Sequence, residues 1–223
     1  MIHIHYFITR KPSMGDAEFH RYWRETHGPI AARIPQLHRY VQSHRITTFG
    51  SNSPYDGVAE VLIDGLDALA ALRRSPEYLE GALADERNFI DLTRVEWMAT
   101  RDHVLADGPT GGKLVKGVWQ LAIKPGMALE DFRKYWLEVH GPLALKLQGL
   151  RRYVQSHLID QAYLYATPRC DGVAQLWFDS PAAFAAAFAS PAGTDLLADG
   201  RVFIDGSRMT FFMAQEHIQI ASR

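Results

Sequence analysis

The sequence predicts an α+β protein in which one pattern is written twice, and three observations carry the prediction. YWRETHGPIA at residues 22–31 returns as YWLEVHGPLA at 135–144. RYVQSH, Arg39–His44, recurs unchanged as Arg152–His157. Between and around these anchors, short segments of period-two alternation flank segments of helical spacing, in the same order in both halves. Smaller matches extend the repeat: DGVA at 56–59 and 171–174, SerPro at 75–76 and 190–191, PheIleAsp at 89–91 and 203–205, and His103 with His217. A repeat of this length is a duplicated domain rather than a solenoid unit.

A helix ending in TyrTrp, three residues, then HisGlyPro and a small apolar pair resembles the EthD family of the dimeric α+β barrel superfamily, and the resemblance covers both halves. It implies two ferredoxin-like βαββαβ units whose antiparallel four-stranded sheets pack as a pseudo-dimeric α+β barrel. The superfamily includes cofactor-free monooxygenases, an isomerase and some haem proteins, so the resemblance leaves the chemistry open.

The repeat divides the 223 residues into a first domain, 1–106, a linker, 107–112 (AspGlyProThrGlyGly), and a second domain, 113–223. Each half is long enough to bury its own core. With 24 basic and 25 acidic residues there is no field to attract nucleic acid or an anionic membrane. One cysteine, Cys170, cannot form an internal disulfide. No signal peptide or membrane-length apolar run is evident, so the expectation is a cytoplasmic protein.

Each half opens on a strand. In IHIHYFIT, Ile2, Ile4, Tyr6 and Ile8 alternate with His3, His5, Phe7 and Thr9; in the second half Trp119 and Leu121 take the places of Tyr6 and Ile8. In the helix that follows, Phe19, Tyr22, Trp23 and Thr26 fall on one face, as do Phe132, Tyr135, Trp136 and Val139. Gly28 and Pro29 are expected to stop it at His27. Tyr40, Gln42 and His44 then share one face of a second strand, matched by Tyr153, Gln155 and His157. A third strand runs over 57–63 and 172–178. A second helix is broken at Pro76 or Pro191, and a last strand leads to His103 or His217.

The chemistry should reside in what both halves keep. Imidazole is the side chain most readily poised for proton transfer near neutral pH, which makes His27, His140, His44 and His157 the candidate catalytic residues. His27 and His140 could equally hydrogen-bond open carbonyls at a helix end, and His44 and His157 could be ordinary strand polar residues. His103 and His217 read as surface or interface residues. Tyr6, Tyr22, Trp23 and Tyr40, with Trp119, Tyr135, Trp136 and Tyr153, are candidate substrate-binding residues, although a buried aromatic stripe is more often plain core. His3, His5 and His44 make the strongest metal case, but the second half has no matching HisXHis, so no metal is expected. No nucleotide, thiol or hydrolase motif is present, and no cofactor is expected.

The sequence therefore points to an enzyme binding a small hydrophobic or aromatic oxygenated molecule, with cofactor-independent histidine acid–base chemistry of isomerase, lyase or dehydratase type. The alternatives are a cofactor-free monooxygenase and a non-catalytic ligand-binding accessory protein of a catabolic pathway. The expected assembly is a monomeric pseudo-dimer or a homodimer of it.

Overall fold

A computed structural model describes residues 1–164 and 166–221. The elements run β1 (Ile2–Ile8), α1 (Asp16–Tyr22), α2 (Gly28–Ala31), β2 (Arg39–Arg45), β3 (Gly57–Ile63), α3 (Leu66–Leu72), α4 (Leu83–Phe89) and β4 (Glu96–Ala106). The series repeats as β5 (Val115–Leu121), α5 (Leu129–Tyr135), α6 (Gly141–Ala144), β6 (Arg152–Leu158), β7 (Gly172–Phe178), α7 (Pro181–Ala189), α8 (Pro191–Phe203) and β8 (Thr210–Ile220). The class is α+β with antiparallel sheets, as the sequence predicts.

The chain forms two compact units. Unit 1 comprises residues 1–45, 54–99 and 216–223, and unit 2 comprises 46–53 and 100–215. In unit 1, β3 lies between β1 and β2, with Tyr6 opposite Ala59 and Tyr40 opposite Val61. In unit 2, β8, β5, β7, β6 and β4 follow one another, with Trp119 opposite Ala174 and Tyr153 opposite Leu176. The repeated aspartates bind backbone and side-chain donors near the strand ends. Asp56 accepts from the Arg10 amide at 2.8 Å and from Arg45 at 2.7 Å. Asp171 accepts from the Ile123 amide at 2.7 Å and from the Tyr163 hydroxyl at 2.8 Å.

The first helix does not stop where its GlyPro predicts. Residues Trp23–His27 form a π-helical turn, and the chain continues as α2, with Gly28 at φ −52° in ordinary right-handed conformation. The second half repeats this through Trp136–His140 and α6. A wide π turn bonds each amide five residues back, so the missing amide of Pro29 falls at the start of a new helical register. Glycine serves close approach instead of termination. A Cβ on Gly28 would lie 2.6 Å from the Gln219 side chain, and one on Gly141 2.4 Å from Leu105 Cδ2.

The tryptophans that open these turns need similar space on the sheet. A Cβ on Gly57 would come within 2.6 Å of both the Ser43 carbonyl and the Trp23 ring; on Gly172 it would come within 2.7 Å of the Ser156 carbonyl and 2.6 Å of Trp136. The glycine shared by the two DGVA segments follows from this contact. Since the obstructing atoms include backbone, Gly57→Ala and Gly172→Ala should each lower unfolding stability by about 1–3 kcal/mol. Gly15→Ala, where nothing lies within 4 Å, should be near neutral. Urea denaturation of the three variants checks this.

Candidate functional site

Each unit holds a cavity under its helices. In unit 1 its volume is 390 Å³, and Ile4, Ile8, Val61 and Leu72 are among its apolar walls. Tyr6, Trp23, His27, Tyr40, Tyr78 and Glu86 also line it, with Arg73. Four of the candidate residues, Tyr6, Trp23, His27 and Tyr40, are therefore brought together. Tyr22 is not in the lining.

His27 is buried at the end of the π turn, its ring centroid 4.8 Å from that of Phe89. Phe89 also packs on Phe19 and Tyr22, as Phe203 does on Phe132 and Tyr135, which accounts for the phenylalanine of the repeated PheIleAsp. The His27 Nδ1 lies 2.9 Å from Asp85 Oδ2. The other oxygen of Asp85 accepts from the Tyr22 hydroxyl at 2.7 Å and from Asn88 at 3.1 Å. A carboxylate can only accept, so Nδ1 carries the proton, and in the neutral ring Nε2 is the nitrogen with a lone pair. The hydrogen bond from His27 holds the Asp85 carboxyl below its ordinary range, against an opposing push from burial; Tyr22 and Asn88 add to the lowering.

Glu86, one residue along α4, is buried and accepts from the Tyr6 hydroxyl at 3.0 Å. Burial raises its carboxyl above the usual glutamate range, the nearby His27 opposing that shift. The cavity thus places an imidazole acceptor and a carboxyl biased toward its protonated form on one wall. A neutral imidazole beside a carboxyl kept protonated by burial offers a base and an acid.

Unit 2 repeats the orienting half of this arrangement. His140 Nδ1 is 2.7 Å from Asp199 Oδ2, and the Tyr135 hydroxyl donates to Asp199 Oδ1 at 2.7 Å. His140, Trp119 and Tyr153 line a cavity of 460 Å³; Tyr135, Trp136 and His157 do not. Burial lowers the His140 value, with Asp199 opposing. Glycine, Gly200, stands where unit 1 has Glu86.

His44 and His157 lie outside both linings. Each stacks on the tryptophan of its π turn, at 4.2 Å on Trp23 and 4.4 Å on Trp136, and each meets the preceding glutamine through Nε2 at 3.1 Å. His44 Nδ1 is also 2.9 Å from His20 Nδ1. His103 and His217 are half-buried. Their rings lie 4.5 Å from His157 and His44, because β4 pairs alongside β6 and the end of β8 belongs to unit 1.

Asp85, Asp199 and Glu86 are the residues the sequence reading passed over. Their signal is present: LADERNFID at 83–91 aligns with LADGRVFID at 197–205. The same alignment shows the loss of the glutamate.

The EthD domain profile matches residues 11–93 and 124–207. Among solved structures, a candidate monooxygenase from Fusobacterium nucleatum subsp. nucleatum is 7% identical, with TM-score 0.67 over 99% of this chain and 94% of that one. An anthrone oxidase-like protein is 13% identical, with TM-score 0.67 over 98% and 92%. A heme-binding protein from Thermus thermophilus is 13% identical, with TM-score 0.54 over 99% and 92%. At these identities the likeness is one of fold. No curated protein sequence matches the chain. No helix among the described residues is long and apolar enough to cross a membrane.

Burial, and then the neighbouring His103, lower the His157 value to about 3. The unfolded chain takes up this proton near pH 6.5 and the folded chain does not until about pH 3, so stability should fall as pH drops through that window. The contribution to the slope is up to about 1.4 kcal/mol per pH unit. Denaturation midpoints between about pH 7 and 4 should show a shallower decline in His157→Gln than in the unaltered protein.

Proposed function

The chain belongs to the EthD domain family, and from that premise we propose that unit 1 is a cofactor-independent proton-transfer enzyme acting on a small, flat, oxygenated hydrophobic molecule. One observation carries the reading: His27 is held by Asp85 with its acceptor nitrogen available to an apolar cavity that also contains Glu86. The His27 Nε2 removes a proton from an acidic C–H or O–H of the bound molecule. Asp85 stabilises the resulting imidazolium and fixes its orientation, as a carboxylate partner does in other histidine bases. Glu86, with the Tyr6 hydroxyl on its carboxyl, returns a proton to a carbonyl oxygen or to a departing hydroxyl. The first outcome is an isomerisation; the second is loss of water. Apolar walls favour the flat substrate and strengthen both charge interactions.

The base and the walls would also serve a second reaction, in which the deprotonated substrate itself reacts with dioxygen. The names of two structural relatives, a candidate monooxygenase and an anthrone oxidase-like protein, support keeping this reading. A third reading is binding without turnover. Enolisable aryl ketones incubated in deuterium oxide separate the three: isomerase or dehydratase chemistry incorporates deuterium or releases water without oxygen uptake, the oxygenase consumes oxygen, and an accessory protein does neither.

If the assignment is right, His27→Gln should lower the proton-transfer rate by about 10²–10⁴-fold. Asp85→Asn should also impair it, since an asparagine amide can donate to Nδ1 and favour the wrong tautomer. Rates are compared under conditions where circular dichroism and thermal melts show each variant folded. Unchanged rates in both variants would remove His27 from the mechanism.

A further inference from the structure

We propose that the cavity of unit 2 is a second ligand site, which binds an uncharged, flat aromatic alcohol through His140 and carries out no proton transfer on it. At 460 Å³ the cavity is well within the range of about 300–1,000 Å³ typical of small-molecule sites. Duplication preserved its orienting pair, His140 and Asp199, and changed what faces it. Three polar positions of the first cavity have become apolar or bare: Tyr6 corresponds to Trp119, Arg73 to Phe188 and Glu86 to Gly200.

Gly200 is the position that separates the two sites. A Cβ there would lie 3.9 Å from His140 Cε1 and 3.6 Å from Ile204 Cδ1. A side chain at 200 would thus enter the space beside the imidazole, and the glycine leaves it open. The acid partner is missing and its place belongs to the ligand.

The remaining polarity specifies one hydrogen bond. Asp199 accepts from Nδ1, and the burial that lowers the His140 value favours neutral imidazole. Nε2 is then an acceptor, matched by a single hydroxyl donor on the ligand. The Tyr153 hydroxyl already accepts from Gln155 at 2.8 Å. Arg201 also lines the cavity but is exposed, so its charge lies where solvent screens it. Trp119 and Phe188, with ring centroids 5.6 Å apart, supply aromatic surface suited to fused rings, and Leu121 and Leu196 complete the apolar wall.

The test is calorimetric titration of the full chain with 2-naphthol, naphthalene and 2-naphthoate, with tryptophan fluorescence recorded alongside. The expected order is 2-naphthol tightest and 2-naphthoate weakest. His140→Phe should weaken 2-naphthol by tenfold or more and leave naphthalene binding intact, which also shows the variant folded. Gly200→Glu, which returns a carboxylate to the open space, should remove one equivalent of bound naphthalene from the isotherm. Equal weakening of both neutral probes in His140→Phe, or 2-naphthoate binding as tightly as 2-naphthol, would overturn the proposal. So would an unchanged stoichiometry in Gly200→Glu, because the ligand would then sit outside the cavity of unit 2. None of these readouts requires turnover, so the second site can stand or fall separately from the proton-transfer chemistry of unit 1.

Discussion

The side-chain amide of Gln42 donates to the carbonyl of Trp23 at 2.8 Å, wholly inside the protein, and Gln155 does the same for Trp136. The rest of each site depends on this bond. A π turn widens the helix and offers the tryptophan carbonyl to a partner beyond the helix axis; Gln42 meets it from the sheet, and the same amide bonds the Tyr40 hydroxyl at 2.9 Å. Helix, strand and cavity wall are thereby fixed to one group. An unpaired amide or carbonyl at this depth would cost about 1–3 kcal/mol. The π turn is therefore tied to the glutamine opposite it, and His27 at the end of that turn inherits its position.

Trp23 then acts on both of its faces. It lines the cavity and it stacks on His44, which in turn bonds His20 and lies against His217. The strand histidine therefore belongs to the support of the aromatic wall and stays out of the cavity lining. This division of labour between histidines could not be seen from their recurrence in the two halves, because supporting and cavity-lining residues repeat equally well when a domain is duplicated.

Much of the fold was legible because duplication supplies its own comparison. Strand alternation, the aromatic face of α1 and the break before Pro191 all translate into the observed elements. GlyPro misled because its usual meaning, the end of a helix, assumes hydrogen bonding at a spacing of four residues; a π turn changes the spacing and lets the helix restart. His27 and His140 were legible as turned toward the buried side at the helix end, but their carboxylate partners lie 58 and 59 residues further along the chain. Spacing cannot join residues so far apart. Only alignment of LADERNFID with LADGRVFID brings Asp85 and Asp199 into view, and it reveals Gly200 in the same step.

The composition of unit 1 has a consequence for how the protein is made. Its first strand begins at Ile2, yet the end of β8, from Glu216, also belongs to it. Chains emerge from the ribosome at about 5–20 residues per second, amino end first. Unit 1 therefore waits for nearly all of these residues before it can be completed, while residues 46–53 of the first repeat are held for a unit made later. Long sequence separation of this kind slows folding. The duplicated gene thus encodes two similar units that are completed together, once the end of β8 has been made, rather than one after the other.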